Sequence, residues 1–63
     1  MMNMKITTVY KYFEGSIDDV KTAIARYESE HAVIGKQDEK QDFNTEPAWY
    51  SVSYIIEDYD SKI

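Results

Sequence analysis

Few residues of this 63-residue chain combine a reactive side chain with a setting that suits catalysis or metal binding. His31 is the single histidine, and neither a cysteine nor an H-x-x-H pattern accompanies it. A metal site needs several histidine, cysteine or carboxylate ligands at suitable spacing. A histidine in the last turn of a helix is instead stabilised there by the helix dipole. We therefore predict a structural role for His31 and expect no bound metal or cofactor.

Neighbouring acidic residues and serines are the other groups that could act as acids, bases or nucleophiles. The acidic pairs are Asp18/Asp19, Asp38/Glu39 and Glu57/Asp58. Acid–base catalysis by such a pair requires burial or repulsion that shifts one pKa, and these pairs lie in polar segments or at the ends of predicted elements. Ser51 and Ser53 have neither a glycine-rich elbow nor an identifiable base. We predict that the protein is not an enzyme.

Aromatic residues are the strongest functional signal in the sequence. The chain has six tyrosines, one tryptophan and two phenylalanines. Tyrosine combines a large contact area with a hydroxyl group that tolerates partial exposure, which is why it is enriched at protein interfaces. Some of these rings must fill the core of so small a domain. The rest favour a surface that binds another protein.

Two elements that must position these side chains can be recognised from their patterns. Residues 4–13, MKITTVYKYF, are rich in β-branched and aromatic residues and predict a strand. Gly15 interrupts it, and Ser16 with Asp19 three positions later has the spacing of a helix capping box. An apolar stripe follows at steps of three or four residues and predicts a helix over about 16–31. The stripe consists of Ile17, Val20, Ile24, Tyr27 and His31.

The second half of the chain predicts a short strand, a loop and a long strand within a single domain spanning 1–63. Val33 and Ile34 indicate a short strand after the helix. Residues 36–47 are acidic and lysine-bearing with one large apolar residue, Phe43, which is typical of a solvated hairpin arm or a mobile loop, and we predict a mobile acidic loop. Pro47 then precedes a final strand over about 48–58. The predicted fold is α+β, with one amphipathic helix packed on a two- or three-stranded sheet in the order β-α-(β)-β.

One helix covers only one face of such a sheet, so the final strand must present a second, open face. The continuous apolar row Tyr50, Val52, Tyr54 and Ile56 is predicted to face the helix. The alternate residues, together with two aromatic residues of the first strand, are our predicted partner-binding residues. They are Trp49, Ser51, Ser53, Ile55, Tyr12 and Phe13. The two serines between larger residues predict a shallow recess that another chain could fill.

Size and charge restrict the class of partner. A chain this short buries only about 60% of its unfolded surface and has neither a disulfide nor a metal for support, so we expect a homodimer. The net charge is −5, and residues 36–63 hold seven acidic residues against three lysines. Direct nucleic-acid binding is therefore not expected. With no signal-peptide pattern and no long apolar run, we predict a cytoplasmic protein without membrane contact.

These features suggest two functions. The first is a non-enzymatic regulator or inhibitor that binds a partner protein through its aromatic sheet face. The alternative is an acidic mimic of nucleic acid that blocks a DNA- or RNA-binding protein, because rows of carboxylates can imitate phosphates. The clusters at 38–46 and 57–60 motivate the alternative, although lysines interrupt or flank them.

The segments MKITTVYKYF, SIDDVKTAIARY, AVIG and WYSVSYII together resemble a family of very small sporulation-associated bacterial proteins and phage accessory proteins. Members of that family have a lysine-bearing first strand, an acidic amphipathic helix, a Val-Ile step and a last strand with alternating aromatic, small and aliphatic residues. The resemblance implies a small α+β fold and a bacterial or phage origin. It implies no catalytic residues. The acidic stretch 36–46 and the tail EDYDSKI depart from the pattern.

Overall fold

The protein is a three-stranded antiparallel sheet with one helix packed on one of its faces. The computed structural model describes the backbone of residues 3–60 and the side chains of residues 4–58. The elements are β1 (Asn3–Gly15), α1 (Ile17–Glu30), β2 (Val33–Asp42) and β3 (Ala48–Asp60). The strand order is β1-β3-β2, so β3 lies in the centre. The predicted α+β fold is confirmed.

Strands β1 and β3 pair along their full length, from Asn3 opposite Asp60 to Gly15 opposite Ala48. Both strands are rich in the β-branched and aromatic residues that pack well on a pleated surface. Gly15 ends β1 at a φ of 153°, a conformation that residues with a side chain rarely adopt. The chain can therefore turn sharply from the strand into the helix.

The helix begins as the capping pattern predicts. Ser16 is the N-cap residue, and its hydroxyl oxygen accepts a hydrogen bond from the Asp19 backbone N–H at 3.1 Å. Asp18 and Asp19 place negative charge in the first turn, where the helix dipole favours it. Val20 is buried against the sheet, whereas Ile17 is 41% exposed and contributes nothing to the buried core. The predicted stripe thus begins at Val20.

Strand β2 corrects our prediction for the acidic segment. Residues 36–42, which we expected in a mobile loop over 36–47, are strand, and the connection to β3 is only residues 43–47. They pair with β3, with Lys36 opposite Tyr54 and Gln41 opposite Tyr50. The register shifts between Val33 and Gly35 and again between Gln37 and Lys40, beside Asp38 at a φ of 53°. These two irregularities and the polar composition hid the alternation by which strands are recognised.

Among the residues with described side chains, the buried core lies between the helix and the sheet. Its buried residues are Val20, Ala48, Tyr50, Val52, Tyr54 and Ile56. The row from Tyr50 to Ile56 therefore faces the helix, as predicted. Around it pack the half-buried residues Val9, Phe13, Ile24, Tyr27, Val33 and Phe43. Burial of one such aliphatic or aromatic side chain contributes about 1.5–3 kcal/mol, so this single layer supplies most of the hydrophobic stabilisation.

Candidate protein-binding surface

The face of the sheet opposite the helix has no other element packed on it within the described residues. Strand pairing determines its members, because residues opposite each other in an antiparallel pair point to the same side. We call it the open face. It consists of Met4, Ile6, Thr8, Tyr10, Tyr12 and Glu14 on β1, Trp49, Ser51, Ser53, Ile55 and Glu57 on β3, and Gly35, Gln37, Lys40 and Asp42 on β2.

Strand β1 supplies the protruding part of the open face. Among the described residues, six large apolar or aromatic side chains are exposed, and four of these lie on the β1 part of the open face. They are Met4, Ile6, Tyr10 and Tyr12. Tyr10 is 65% exposed, the largest fraction of the six. Of these four, only Tyr12 was among our predicted binding residues, although the period-two pattern of MKITTVYKYF places all of them on one side.

Tyr12 and Trp49 form an aromatic pair on this face. Their rings are stacked, with centroids 6.3 Å apart and planes inclined by 23°. The pair joins β1 to β3 near the end of the sheet where the helix begins. Each ring restricts the movement of the other, so the pair offers a partner a large contact area at a small cost in side-chain entropy.

The two serines of β3 occupy a low row between taller neighbours, as predicted from their size. Ser51 lies between Tyr12 on β1 and Lys40 on β2, and it is only 8% exposed. Ser53 lies in the same way between Tyr10 and Gln37. The open face thus has a ridge along β1 and a shallow recess along β3.

Two further predicted binding residues have different surroundings. Ile55 is on the open face beside Gly35, where a Cβ atom on the glycine would come within 3.3 Å of the isoleucine Cδ1. Phe13 is not on the open face. It pairs with Tyr50 on the covered side, and its ring meets Tyr27 of the helix edge-on at 6.3 Å. Phe13 and Tyr12 are neighbours in one strand, so they cannot point to the same side.

On the covered face, the hydroxyl groups of the two buried tyrosines donate hydrogen bonds to carboxylates. Tyr54 donates to Glu28 of the helix at 2.9 Å, and Tyr50 donates to Glu39 of β2. Burial, followed by the hydrogen bond to the carboxylate, raises the pKa of both tyrosines well above the ordinary value. Lys36 bonds Glu28 at 2.9 Å, and this hydrogen bond lowers the pKa of the Glu28 carboxyl.

A cleft of about 330 Å³ opens between the helix and β2. Its lining includes Glu28, Lys36, Glu39, Phe43 and Tyr50. Both carboxylates in this lining accept hydrogen bonds from buried tyrosines. The acidic groups of the cleft therefore hold the helix and β2 to the core.

His31 caps the helix C-terminus and is exposed, with its ring stacked on Tyr27 at a centroid distance of 4.1 Å. Within residues 3–60, no cluster of three or more histidine, cysteine, aspartate or glutamate side chains could hold a metal ion. The contacts of His31 are those of a helix-terminal residue packed on an aromatic ring.

Over the same described range, no helix is long and apolar enough to cross a lipid bilayer. Comparison of the chain with protein-family models, with curated proteins and with solved structures finds no match. The resemblance to small sporulation-associated and phage proteins therefore stays a prediction. The geometry of the open face is the observation on which a functional proposal rests.

Proposed function

We propose that this protein is a small non-enzymatic interaction module, a regulator or inhibitor that acts by docking its open face on another protein. The observation that carries the proposal is the concentration of four exposed large side chains on the β1 ridge, with exposed fractions from 48% at Tyr12 to 65% at Tyr10. Contiguous apolar patches of this kind on small proteins mark sites of interaction. The proposed setting is the cytoplasm.

The distribution of charge on the open face supports this proposal. Its middle section, around Tyr10, Ser53 and Gln37, contains no charged residue. Charges lie towards the ends and the β2 edge, with Glu14 and Asp42 at one end and Glu57 towards the other. An apolar and aromatic centre with a polar rim is the usual anatomy of a protein–protein interface.

The alternative function, an acidic mimic of nucleic acid, has less support. Lys36 and Lys40 interrupt the acidic residues of β2. Two of the carboxylates that a mimic would display, Glu28 and Glu39, accept hydrogen bonds from buried tyrosines. Asp42 lies on the open face opposite Trp49, away from them. The acidic side chains therefore form no single row of the kind that imitates a phosphate backbone.

The test compares capture of a partner from host lysate by the wild-type chain and by Tyr10→Ser/Tyr12→Ser, with Ile17→Ser as the control. Ile17 is exposed to a similar degree as Tyr12 but lies on the helix. We expect the double variant to lose the captured protein and the control to retain it, with both folded by circular dichroism. Retention by a folded double variant would contradict the proposal.

Salt dependence separates the two functions in the same assay. Binding through the uncharged centre of the open face changes little between low and high salt. A mimic of nucleic acid loses affinity steeply, because the interaction of exposed charges is screened beyond about 10 Å at 0.1 M salt. A steep loss would favour the mimic over the proposed module.

A further inference from the structure

We infer that the protein that covers the open face is a second copy of this chain, so that two sheets pack face to face as a sandwich. This inference rests on the proposed function, because it names the occupant of the same surface. The shape of one copy, the size of the face and the distribution of its side chains each support a second copy as that occupant.

One copy is less compact than a chain of its length normally is. Its radius of gyration is 14.0 Å, and its principal extents are 48 × 19 × 13 Å. A compact domain of this length has a radius of gyration of about 10.6 Å. Its accessible surface of 4791 Å² also exceeds the roughly 4,200 Å² usual for a monomer of its mass. The shape is that of one layer of sheet covered on one side only.

The open face is large enough for a specific dimer. Strands β1 and β3, with 13 residues each, extend about 43 Å, and β2, with 10 residues, extends about 33 Å, so the face has a flat area of roughly 560 Å². Two copies packed on each other would therefore bury about 1,100 Å², which exceeds the roughly 1,000 Å² that a biological interface needs. The roughly 600 Å² of surplus surface on one copy is of the same size as this face.

The open face is also complementary to itself. The β1 side carries the rings of Tyr10 and Tyr12, whereas at the same levels the β2 side carries the flexible side chains of Gln37 and Lys40. A two-fold axis parallel to β3 places β1 of each copy over β2 of the other. Each ridge then lies over β2 of the facing sheet, where the flexible side chain of Gln37 is level with Tyr10 of the second copy and can adjust to its ring. In isologous packing of this kind both copies use the same surface, and each contact occurs twice.

Charges at the β2 edge agree with the same arrangement. Lys40 is level with Tyr12 across the sheet, so the two-fold axis places its ammonium group over the Tyr12 ring of the second copy. Glu14 lies two residues after Tyr12 on the same strand, so its carboxylate is diagonally opposite the Lys40 ammonium group of the second copy. Glu14 also approaches Asp42 of the second copy, at the end of the sheet where water screens the repulsion. The uncharged centre meets itself without burying a charge.

The dimer has a consequence for regulation. A different protein that docks on the open face must displace the second copy, so its apparent affinity falls as the concentration of this chain rises. Self-association would then keep the aromatic surface covered until a tighter-binding partner is present.

The first test measures mass and the environment of Trp49 as functions of concentration. Sedimentation equilibrium should give a mass of twice 7.4 kDa at high concentration and 7.4 kDa on dilution. Trp49 is the single tryptophan and lies on the open face, so its quenching by acrylamide should decrease as the dimer forms. A mass of one copy up to millimolar concentration would overturn the inference, as would a dimer in which Trp49 stays equally accessible.

A matched pair of variants tests the surface. Tyr10→Glu buries a charge in the centre of the inferred interface and should weaken dimerisation about 100-fold or more. Ile17→Glu introduces the same charge at an exposed position of the helix and should leave dimerisation unchanged. Both positions are exposed in one copy, so both variants should fold. Equal dimerisation of the two variants would overturn the inference.

Cross-linking tests the arrangement. Ser53 lies on β3 close to the inferred axis, so the cysteines of a Ser53→Cys variant would face each other across sheets about 10 Å apart. Both side chains point into the gap between the sheets, so a thiol cross-linker shorter than that spacing should join them efficiently, whereas Thr22→Cys on the exposed side of the helix should give little dimer. The reverse pattern would overturn the face-to-face arrangement.

These results can be separated from the fate of the proposed function. If the chain is monomeric but Tyr10→Ser/Tyr12→Ser still abolishes capture of a different protein, self-association fails and the interaction module stands. If the double variant retains the captured protein, docking of a different protein through the open face fails. If the tests above nevertheless detect a dimer, the function of the open face is self-association.

Discussion

The two faces of the sheet carry similar kinds of side chain, but one face is buried under the helix and the other is exposed. Tyr54 on the covered face is 0% exposed, whereas Tyr10 on the open face is 65% exposed. The Tyr54 hydroxyl donates to Glu28 of the helix, and its ring stacks on Tyr27 at 5.0 Å. Tyr10 has only the low Ser53 beside it on β3. The comparison shows that a tyrosine-rich strand sequence does not by itself distinguish core from interface.

The helix creates this difference. It contributes Val20, Ile24 and Tyr27 to one face, and its Glu28 carboxylate accepts a hydrogen bond from the Tyr54 hydroxyl. Burial of those rings is stable only because each hydroxyl has a hydrogen-bond partner, since an unsatisfied buried hydroxyl costs about 1–3 kcal/mol. The chain has no second element for the other face within the described residues. The covered face therefore stabilises the fold, and the open face is available for binding.

The largest expected difference between the faces is in the effect of truncating a tyrosine. Tyr54→Ala should lower the free energy of unfolding by about 3–5 kcal/mol, because it leaves a cavity in the core. That is comparable with the whole stability of a domain of this size. Tyr10→Ala should cost about 1 kcal/mol or less. Urea unfolding followed by circular dichroism, at a concentration where the chain is monomeric, measures both. Similar losses of stability at the two positions would contradict the difference between the covered face and the open face.

Alkaline pH should destabilise the covered face through its two buried tyrosines. Their pKa values are raised in the folded state, so the unfolded chain loses these protons first. Their contribution to stability is complete below the unfolded pKa of about 10 and is lost as the pH rises above it. The free energy of unfolding should decrease by up to about 3 kcal/mol per pH unit there. The measurement is urea unfolding between pH 9 and about 11.5.

The control for this prediction is the double variant Tyr50→Phe/Tyr54→Phe. It keeps the rings of the covered face and removes the two hydroxyl groups that titrate. Its free energy of unfolding should therefore depend much less on pH in the same interval. If the wild type and the double variant show equal alkaline slopes, the covered tyrosines are not the cause.

The smallest of these effects concerns the N-cap of the helix that covers the sheet. Ser16→Ala removes the hydroxyl oxygen that accepts from the Asp19 N–H, and loss of such an N-cap typically costs about 1 kcal/mol. Ser29→Ala is the matched control, because that hydroxyl only donates back to the Arg26 carbonyl within the helix. Its effect should be within about 0.5 kcal/mol of zero. Thermal unfolding of both variants measures the difference, and equal effects would show that the cap contributes little.

Local patterns in the sequence predicted much of the fold. Ser16 and Asp19 marked the start of the helix, because capping depends on residues three positions apart. The alternation from Trp49 to Ile56 predicted which side of β3 faces the helix. It also predicted that Trp49, Ser51, Ser53 and Ile55 share the other side. These features depend on near neighbours in the chain.

Other features could not be predicted in this way. Lys36–Asp42 is almost wholly polar, and its strand structure depends on pairing with the central strand β3. The register of β2 shifts twice, between Val33 and Gly35 and between Gln37 and Lys40, and each shift reverses the face of the residues that follow. Parity counted from Val33 therefore assigns Gly35, Lys36 and Gln37 to the wrong faces. Phe13 was assigned to the binding surface because it is aromatic, although strand parity sets it beside Tyr50 on the covered side.

The sequence by itself determined the helix, its cap, the two long strands and the orientation of the final strand. Tertiary structure decided that β3 lies in the centre, that the acidic segment becomes its second neighbour, and that the ridge of the open face lies on β1. The physical reason is the separation in sequence between the residues that interact. Caps and alternation act between residues close in the chain, whereas strand order and the hydrogen bonds of Tyr50 and Tyr54 join residues 11 and 26 positions from their partners.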